Sequence, residues 1–357
     1  MCNNNGHCRK FDAGTMCPSF RVTRDERHLT RGRANTLRLA LAGRFGPAVA
    51  SPEVRDALDL CVSCKGCRRD CPTGVDMARM KIEFRHQWQR KHGLPLRDRV
   101  IASLPRWAPW ASRLPWLANL RDTLPGGAWV AERIAGISSK RTLPRWRRDT
   151  FLASAGARDD GRPDVVLFCD TFTDRFEPEN AYAALAVLRA AGYRVAIARA
   201  AEGDAQSSRP LCCGRTWLGA GLVDEAKREA RRMVEALSPH VARGAAIVGL
   251  EPSCLLSLRD AFLAMGFGDA AVRLADRAML GEEFLAREHA AGRLRLPLGS
   301  IAQKRALVHG HCHQKAFDAL SPTVAMLKLV PGLAVDVVES SCCGMAGSFG
   351  YEAEHHE

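Results

Sequence analysis

Residues 61–72 read Cys61-Val62-Ser63-Cys64-Lys65-Gly66-Cys67-Arg68-Arg69-Asp70-Cys71-Pro72. Thiols at three-residue steps can close over one face of a cubane iron–sulfur cluster, while the fourth, ahead of a proline, points away to a second cluster. On that spacing Cys61, Cys64 and Cys67 hold one cluster and need a remote fourth ligand. Cys71 then belongs to the other cluster, and Cys17, also followed by a proline, is the reciprocal donor.

Two other uses of cysteine compete with this reading. The chain has 357 residues and is 46% hydrophobic, enough to bury proper cores without disulfide staples. With neither a leader nor a long apolar run in view, the thiols are expected in a reducing cytoplasm. Zinc ribbons set two Cys-x2-Cys pairs well apart, whereas these thiols run on at short steps into Cys-Pro.

The upstream half is irregular. It runs Cys2-x2-Asn5-x2-Cys8, then a spacer, then Cys17-Pro18. Asn5 stands in the middle ligand position, and a neutral amide is a poor iron ligand beside thiolates. Cys2, Cys8 and Cys71 then form an incomplete set. That set suits a 3Fe-4S cluster or a 4Fe-4S cluster with one open iron; the remaining alternative is that no second cluster forms.

Ser51-Pro52-Glu53 reads as a helix start, with Val54, Ala57, Leu58 and Cys61 at helical spacing. Asp76 caps a second helix through Met80, Phe84 and Trp88 to Gly93. Short helices that deliver cysteines from their ends describe a helical dicluster ferredoxin domain over 1–92. The arginine-rich run between the ligand groups reads by default as a solvated helix face.

Residues 93–160 change character. Prolines interrupt the helical starts, and Trp107, Trp110, Trp116, Trp129 and Trp146 fall here, five of the seven tryptophans. This is a linker or a docking segment for a protein partner, with peripheral membrane contact as the next reading. A formal net charge of +13 raises nucleic acid as a partner, but no nucleic-acid motif accompanies it.

From Pro163 strand and helix alternate: "DVVLF", "PENAYAALAVLRAAG", "YRVAIA", "LVDEAKREARRMVEAL" and "AIVGL". Such alternation implies a parallel sheet with helices, whose ligands gather at loops after the strand carboxyl ends. Those loops carry Cys212-Cys213-Gly214 and Cys254. A looser second copy carries Cys312 and Cys342-Cys343-Gly344, so the motif is an internal repeat. The glycine is expected to let the backbone approach a bulky ligand. Cys169, in the first strand, reads as a core thiol. His309, His311 and His313 alternate, as on one strand face; roles behind the metal ligands are preferred to a zinc triad.

The stretches 8–41, 57–84, "GLEPSCLLSLRDAF" (249–262), "HGHCHQKA" (309–316) and "SCCGMAGSFGYEAEH" (341–355) carry a resemblance over nearly the whole chain. It resembles the C-terminal iron–sulfur half of FAD-linked D-2-hydroxyacid dehydrogenases of the D-lactate and D-2-hydroxyglutarate type. More distantly it is similar to the iron–sulfur subunits of glycolate oxidase and anaerobic glycerol-3-phosphate dehydrogenase, and to the Cys-Cys-Gly subunit of heterodisulfide reductase. The implied fold is α+β and multidomain: a helical 4Fe-4S domain (1–92), the Trp/Pro/Arg-rich segment (93–160), and an α/β Cys-Cys-Gly domain of two Rossmann-like halves, 161–300 and an incomplete 301–357.

The resemblance implies an oxidoreductase whose FAD lies in a partner subunit or upstream domain, because no flavin site is identifiable here. The chain is expected to be a split subunit or a fragment, lacking the last cysteine of its second half, with Thr171 where the first half of relatives has a cysteine. Electrons would pass to a quinone or soluble carrier. Cys17, Cys61, Cys64 and Cys67 would hold the 4Fe-4S cluster, and Cys212, Cys213, Cys254, Cys312, Cys342 and Cys343 the Cys-Cys-Gly site. The expected location is cytoplasmic, with the inner membrane face as the peripheral alternative. Two rival functions remain: reduction of a disulfide or quinone at the Cys-Cys-Gly site itself, and a basic scaffold that binds zinc.

Overall fold

The computed structural model describes residues 2–11, 14–46, 49–156 and 161–356. Its amino-terminal part is helical, as the caps predict. The Ser51 hydroxyl accepts the Val54 amide at 3.4 Å and starts helix Pro52–Asp59. The Asp76 carboxylate accepts the Arg79 amide at 3.1 Å and starts helix Met77–His92, which stops at Gly93 with φ 76°. Val54, Leu58, Met77 and Phe84 from these helices pack with Phe20 and Leu29 around Cys8, Cys17, Cys61 and Cys67 in one core. Arg33, on helix Thr30–Leu41, does not sit on a solvated face. It is buried, donating from Nε to the Ala57 carbonyl at 2.8 Å and from its guanidinium to the Ser19 hydroxyl.

Residues 93–156 are more helical than their prolines suggested. Pro105 and Pro115 stand in the first turns of helices Leu104–Arg113 and Pro115–Ala118, where no donor is lost, so they begin helices rather than interrupt them. Leu96–Ala102, Leu120–Thr123, Gly127–Ala135 and Phe151–Ser154 are the other helices described there. The expected boundary at 160 falls within 157–160, outside the described residues.

Four strands follow: β1 (Val165–Phe168), β2 (Val195–Ile197), β3 (Ala246–Gly249) and β4 (Ala278–Leu280). They form one parallel sheet in the order β2-β1-β3-β4. Val166, Phe168 and Ile247 face one apolar core, and Val165, Leu167 and Val248 face another, so both sides of the sheet are covered. In helix Val223–Ala242, the amphipathic 222–237 stretch turns Ala226, Ala230, Met233, Val234 and Leu237 into the core, while Leu222, just before it, is only partly buried against that core. Cys169 follows β1 rather than lying within it, and packs in the second core.

β5 (Arg305–Val308) and β6 (Ala334–Val337) make a separate two-stranded parallel sheet, more exposed than the first. β5 ends before His309, so the three histidines do not share a strand face. His311 caps helix Cys312–Ala316 and His313 lies within it.

Ion pairs and close backbone packing hold the helical part against the sheet. The carboxylate of Asp260, only 2% exposed, meets Lys65 Nζ at 2.7 Å and the guanidinium groups of Arg68 and Arg79. Burial alone would raise this carboxyl, but Lys65 and the two arginines bring it below its ordinary value. Beside it, Gly221 (φ 79°) lies so close to helix Met77–His92 that a Cβ would come within 2.6 Å of the Arg85 carbonyl carbon. The Gly221 carbonyl meets His86 Nδ1 at 3.1 Å and accepts from Gln89.

Asp260→Ala leaves buried Lys65 with Asp76, 3.1 Å away, as its remaining carboxylate and removes the partner of Arg68 and Arg79, so denaturant titration should show a loss of roughly 1–3 kcal/mol. Stability unchanged from the parent would refute this role for Asp260. Gly221→Ala forces both a disfavoured φ and a clash, and should cost at least about 1 kcal/mol and open the junction to limited proteolysis.

Candidate metal centre

The loop bearing Cys61, Cys64 and Cys67 is held in unusual backbone geometry. Ser63 and Lys65 adopt φ of 51° and 58°, and Cys17 itself sits at 53°. Side-chain-bearing residues rarely occupy this region, and where they do the fold over-determines them, most often at functional sites. Gly66 lets the segment before Cys17 pass: a Cβ there would lie 3.0 Å from the Thr15 carbonyl carbon. Asp70 fixes that segment by accepting the Thr15 and Met16 amides at 2.7 and 2.9 Å.

Cys17, Cys61, Cys64 and Cys67 are all buried, and no cysteine of the chain is in a disulfide. Burial pushes Cys17 up to about 11 and Cys67 up to about 12, and Cys64 well above its usual value. Cys67 has Cys61 and Cys17 as electrostatic neighbours. Three of these sulfurs also receive a donor: the Thr30 amide reaches Cys17 Sγ at 3.1 Å, the Met77 amide reaches Cys67 Sγ at 3.4 Å, and the Gly66 amide faces Cys64. Buried thiols with amides aimed at sulfur fit ligands that ionise on meeting a metal, since binding then releases their protons. Lys81, entirely buried, donates to the carbonyls of Asp59 and Cys61 at 3.0 and 2.6 Å, and burial lowers it to about 7.

Cys8 is buried with Cys2 as a neighbour, and Cys2 and Cys71 pack at the margin of the same core. Cys71 is lowered: partial burial would raise it, but the Thr73 hydroxyl at 3.2 Å and the amides of residues 73–75 outweigh that. Asn5 is used locally, its Oδ1 accepting the His7 amide at 2.9 Å.

The six remaining cysteines lie as two trios. Cys212, Cys213 and Cys254 are fully buried and in thiol–thiol contact, with Thr171 and Asp170 lining the same small cavity. Two carboxylates stand over this trio. Asp170 caps helix Thr171–Phe176, and Glu251 caps helix Pro252–Leu258 through the Cys254 amide. Burial, then Glu251, raises Asp170 to about 6. The glycine expected to admit a ligand is required by the protein itself: Gly214 has φ 75°, and its Cβ would meet the Ala226 carbonyl oxygen at 2.9 Å.

Cys312, Cys342 and Cys343 form the second trio, and Cys64 is its neighbour: Cys342 and Cys312 both act electrostatically with it. Cys342 is lowered to about 6, first by the Cys312 thiol that donates to it, against burial, and then by the Gly344 amide, Cys343 and Lys315. Lys315 is anchored by donation to the Ser340 carbonyl at 2.6 Å. His313 Nε2 lies 3.2 Å from the Ser63 carbonyl and 3.3 Å from the Arg215 guanidinium, joining this trio, the Cys64 loop and the first trio's helix. Burial and Arg215 keep His313 neutral. His311 stands 3.7 Å from Glu251, and His309 reaches the Ser341 carbonyl at 3.4 Å.

Sequence reasoning missed Lys65, Lys81, Arg215, Asp260 and Lys315. Lys65, Lys81, Asp260 and Lys315 stand inside the stretches quoted above and Arg215 directly follows Cys212-Cys213-Gly214, but those motifs single out thiols, and only the high basic content hinted at buried cations nearby.

In metal-depleted protein, Cys342 should be alkylated more readily than its neighbour Cys312. Its reaction with iodoacetamide should fall as pH drops through about 6, where it gains a proton, while Cys312 stays protonated and slow. Peptide mass spectrometry reads both sites, and equal rates for the two at pH 7 would contradict the assignment.

Residues 1–75 match the family described as 4Fe-4S dicluster domain. The whole chain aligns at 24% identity with D-2-hydroxyglutarate dehydrogenase of Escherichia coli (strain K12), covering 38% of that protein, its C-terminal part. It is 25% identical, over 67% of its length, to one subunit of the anaerobic glycerol-3-phosphate dehydrogenase of the same organism, covering 59% of that polypeptide. The glycolate oxidase iron-sulfur subunit of that organism matches 96% of the chain at 22% identity, with 79% of the subunit covered. The chain thus spans about two fifths of the length of the hydroxyglutarate dehydrogenases it matches. No solved structure matches it. With its thiols converging as described, residues 1–75 are a 4Fe-4S dicluster domain, in a chain similar to the C-terminal part of D-2-hydroxyglutarate dehydrogenases and to dehydrogenase and oxidase subunits.

Proposed function

We propose that this chain relays electrons from a flavin, carried by a partner subunit or domain of a 2-hydroxyacid dehydrogenase, to a quinone or soluble carrier. The observation that carries the reading is that buried Cys64 has Cys61 and Cys67 of its own loop and Cys342 and Cys312 of the second trio all as electrostatic neighbours. Iron–sulfur clusters supply one-electron transfer when bound. The residues' part is to hold them close together, shield them from water and set the charge around them.

Cys17, Cys61, Cys64 and Cys67 are the ligands of one 4Fe-4S cluster in this reading, and Cys2, Cys8 and Cys71 of a second, three-thiolate cluster. We read residues 1–92 as the cluster domain, 93–160 as a docking segment, and the two sheets as two halves, 161–300 and 301–357, each carrying one cysteine trio. The halves differ in charge. The first trio faces Asp170 and Glu251, which disfavour thiolates until a cation arrives; the second faces Lys315, which favours them.

Anaerobic reconstitution with iron and sulfide should give a brown protein with acid-labile sulfide and a paramagnetic signal on reduction by dithionite. Cys17→Ser should remove most of the signal of one cluster and leave the remainder. Zinc bound in place of iron, with no labile sulfide, would instead support the scaffold reading and overturn this one.

A further inference from the structure

Residues 96–135 are amphipathic in a way that the cluster sites do not use. One face docks on the protein. Ala102, Pro105, Ala108 and Ser112 are buried, the Thr216 hydroxyl donates to the Ala102 carbonyl at 2.8 Å, and the Arg106 guanidinium lies 4.5 Å from the Trp217 ring centroid while pairing with Glu225. Trp107 and Trp146 belong to this inner side. Their ring centroids lie 5.2 Å apart, and Trp146 also meets Phe176.

The other face is apolar and open. Trp110 is 67% exposed, Trp116 66%, Trp129 58%, Leu114 and Leu117 50% each, and Ile134 81%. Soluble proteins seldom leave so many large apolar side chains together in water, and such a face marks an interaction surface. Its polar partners are basic. The Arg113 guanidinium lies 4.7 Å from the Trp110 ring centroid and that of Arg133 5.4 Å from Trp129. Residues 96–135 hold six arginines against three acids, Asp98, Asp122 and Glu132. Arg97, Arg106 and Arg121 form ion pairs, Asp98 faces Arg97, Asp122 is engaged by Arg121 and the Leu143 amide, and Glu132 by the Ser139 amide, so Arg113 and Arg133 over their indoles are the cations that belong to the open face.

We infer that this Trp–Leu–Arg face binds the surface of an anionic lipid bilayer, with the indoles at headgroup depth and the arginines against lipid phosphates. Tryptophan prefers that depth because its ring is apolar and its N–H polar, and arginine can reach out from an apolar base to the headgroups. The short helices lie along the interface in this arrangement, as amphipathic surface helices do, and no described helix is long and apolar enough to cross a membrane. A protein partner would need a matching acidic apolar groove. A bilayer with anionic lipids supplies both components without further design. The inference goes beyond the electron-relay reading and does not depend on which acceptor is used.

The test uses the reconstituted full chain and sonicated vesicles, one set of phosphatidylcholine and one mixed equally with phosphatidylglycerol. The protein should sediment with the mixed vesicles, at least ~10-fold more tightly than with phosphatidylcholine alone, and less so as salt rises. Lipids brominated on the acyl chain should quench its tryptophan emission. Combined Trp110→Ala, Trp116→Ala and Trp129→Ala should abolish quenching and weaken binding by at least ~10-fold, because surface attachment scales with the apolar area inserted. Arg113→Glu with Arg133→Glu should remove the preference for phosphatidylglycerol.

Iron and sulfide content, and reduction by dithionite, are read in parallel on each variant. Their loss would bear on the relay reading alone. Wild-type protein that stays in the supernatant, binds without quenching, or binds unchanged after the tryptophan substitutions would overturn the inference.

Discussion

Ionising a thiol inside a protein is expensive, and this chain commits most of its cysteines to that condition. At Cys17, Cys64 and Cys67 burial raises the thiol, and backbone amides from Thr30, Gly66 and Met77 only partly offset the effect. The remaining stabilisation must come from a bound cation, so folding around these residues and metal binding are one coupled equilibrium. The left-handed backbone at Cys17, Ser63 and Lys65 is compatible with this, since strained loops persist where the surroundings dictate their shape.

That coupling explains where the cations are. Lys65 and Lys81 are buried lysines within a few residues or one contact of the cluster loop, yet neither points at a sulfur in the described contacts. Lys81 ties down the Asp59 and Cys61 carbonyls, and Lys65 reaches across to Asp260. One charged group therefore secures the loop and another secures the loop to the neighbouring sheet.

The two cysteine trios show the same chemistry under opposite fields. Around Cys212, Cys213 and Cys254 the nearest charges are carboxylates that also start helices, so their position is fixed by backbone hydrogen bonds as much as by any ligand. Around Cys342 the nearest charge is Lys315, one helical turn from Cys312. His313 and Arg215 join both to the Ser63 carbonyl.

Capping, hydrophobic period and ligand spacing are local properties, so the helix starts at Ser51 and Asp76 and the buried strands near 165, 195 and 246 were legible without a fold, and so was which thiols to group. The sequence misplaced His309, His311 and His313 because alternation looks the same where a strand has just ended, and it missed β4, whose three residues carry too short a pattern. It did not reveal that Gly214 also packs against Ala226 of helix Val223–Ala242. The fold alone brought Cys64 and Cys342 into one electrostatic neighbourhood, buried Arg33 and Lys81, and turned Trp107 and Trp146 inward while leaving Trp110, Trp116 and Trp129 exposed. These depend on contacts between residues dozens to hundreds apart in the chain, where neither spacing nor composition carries information.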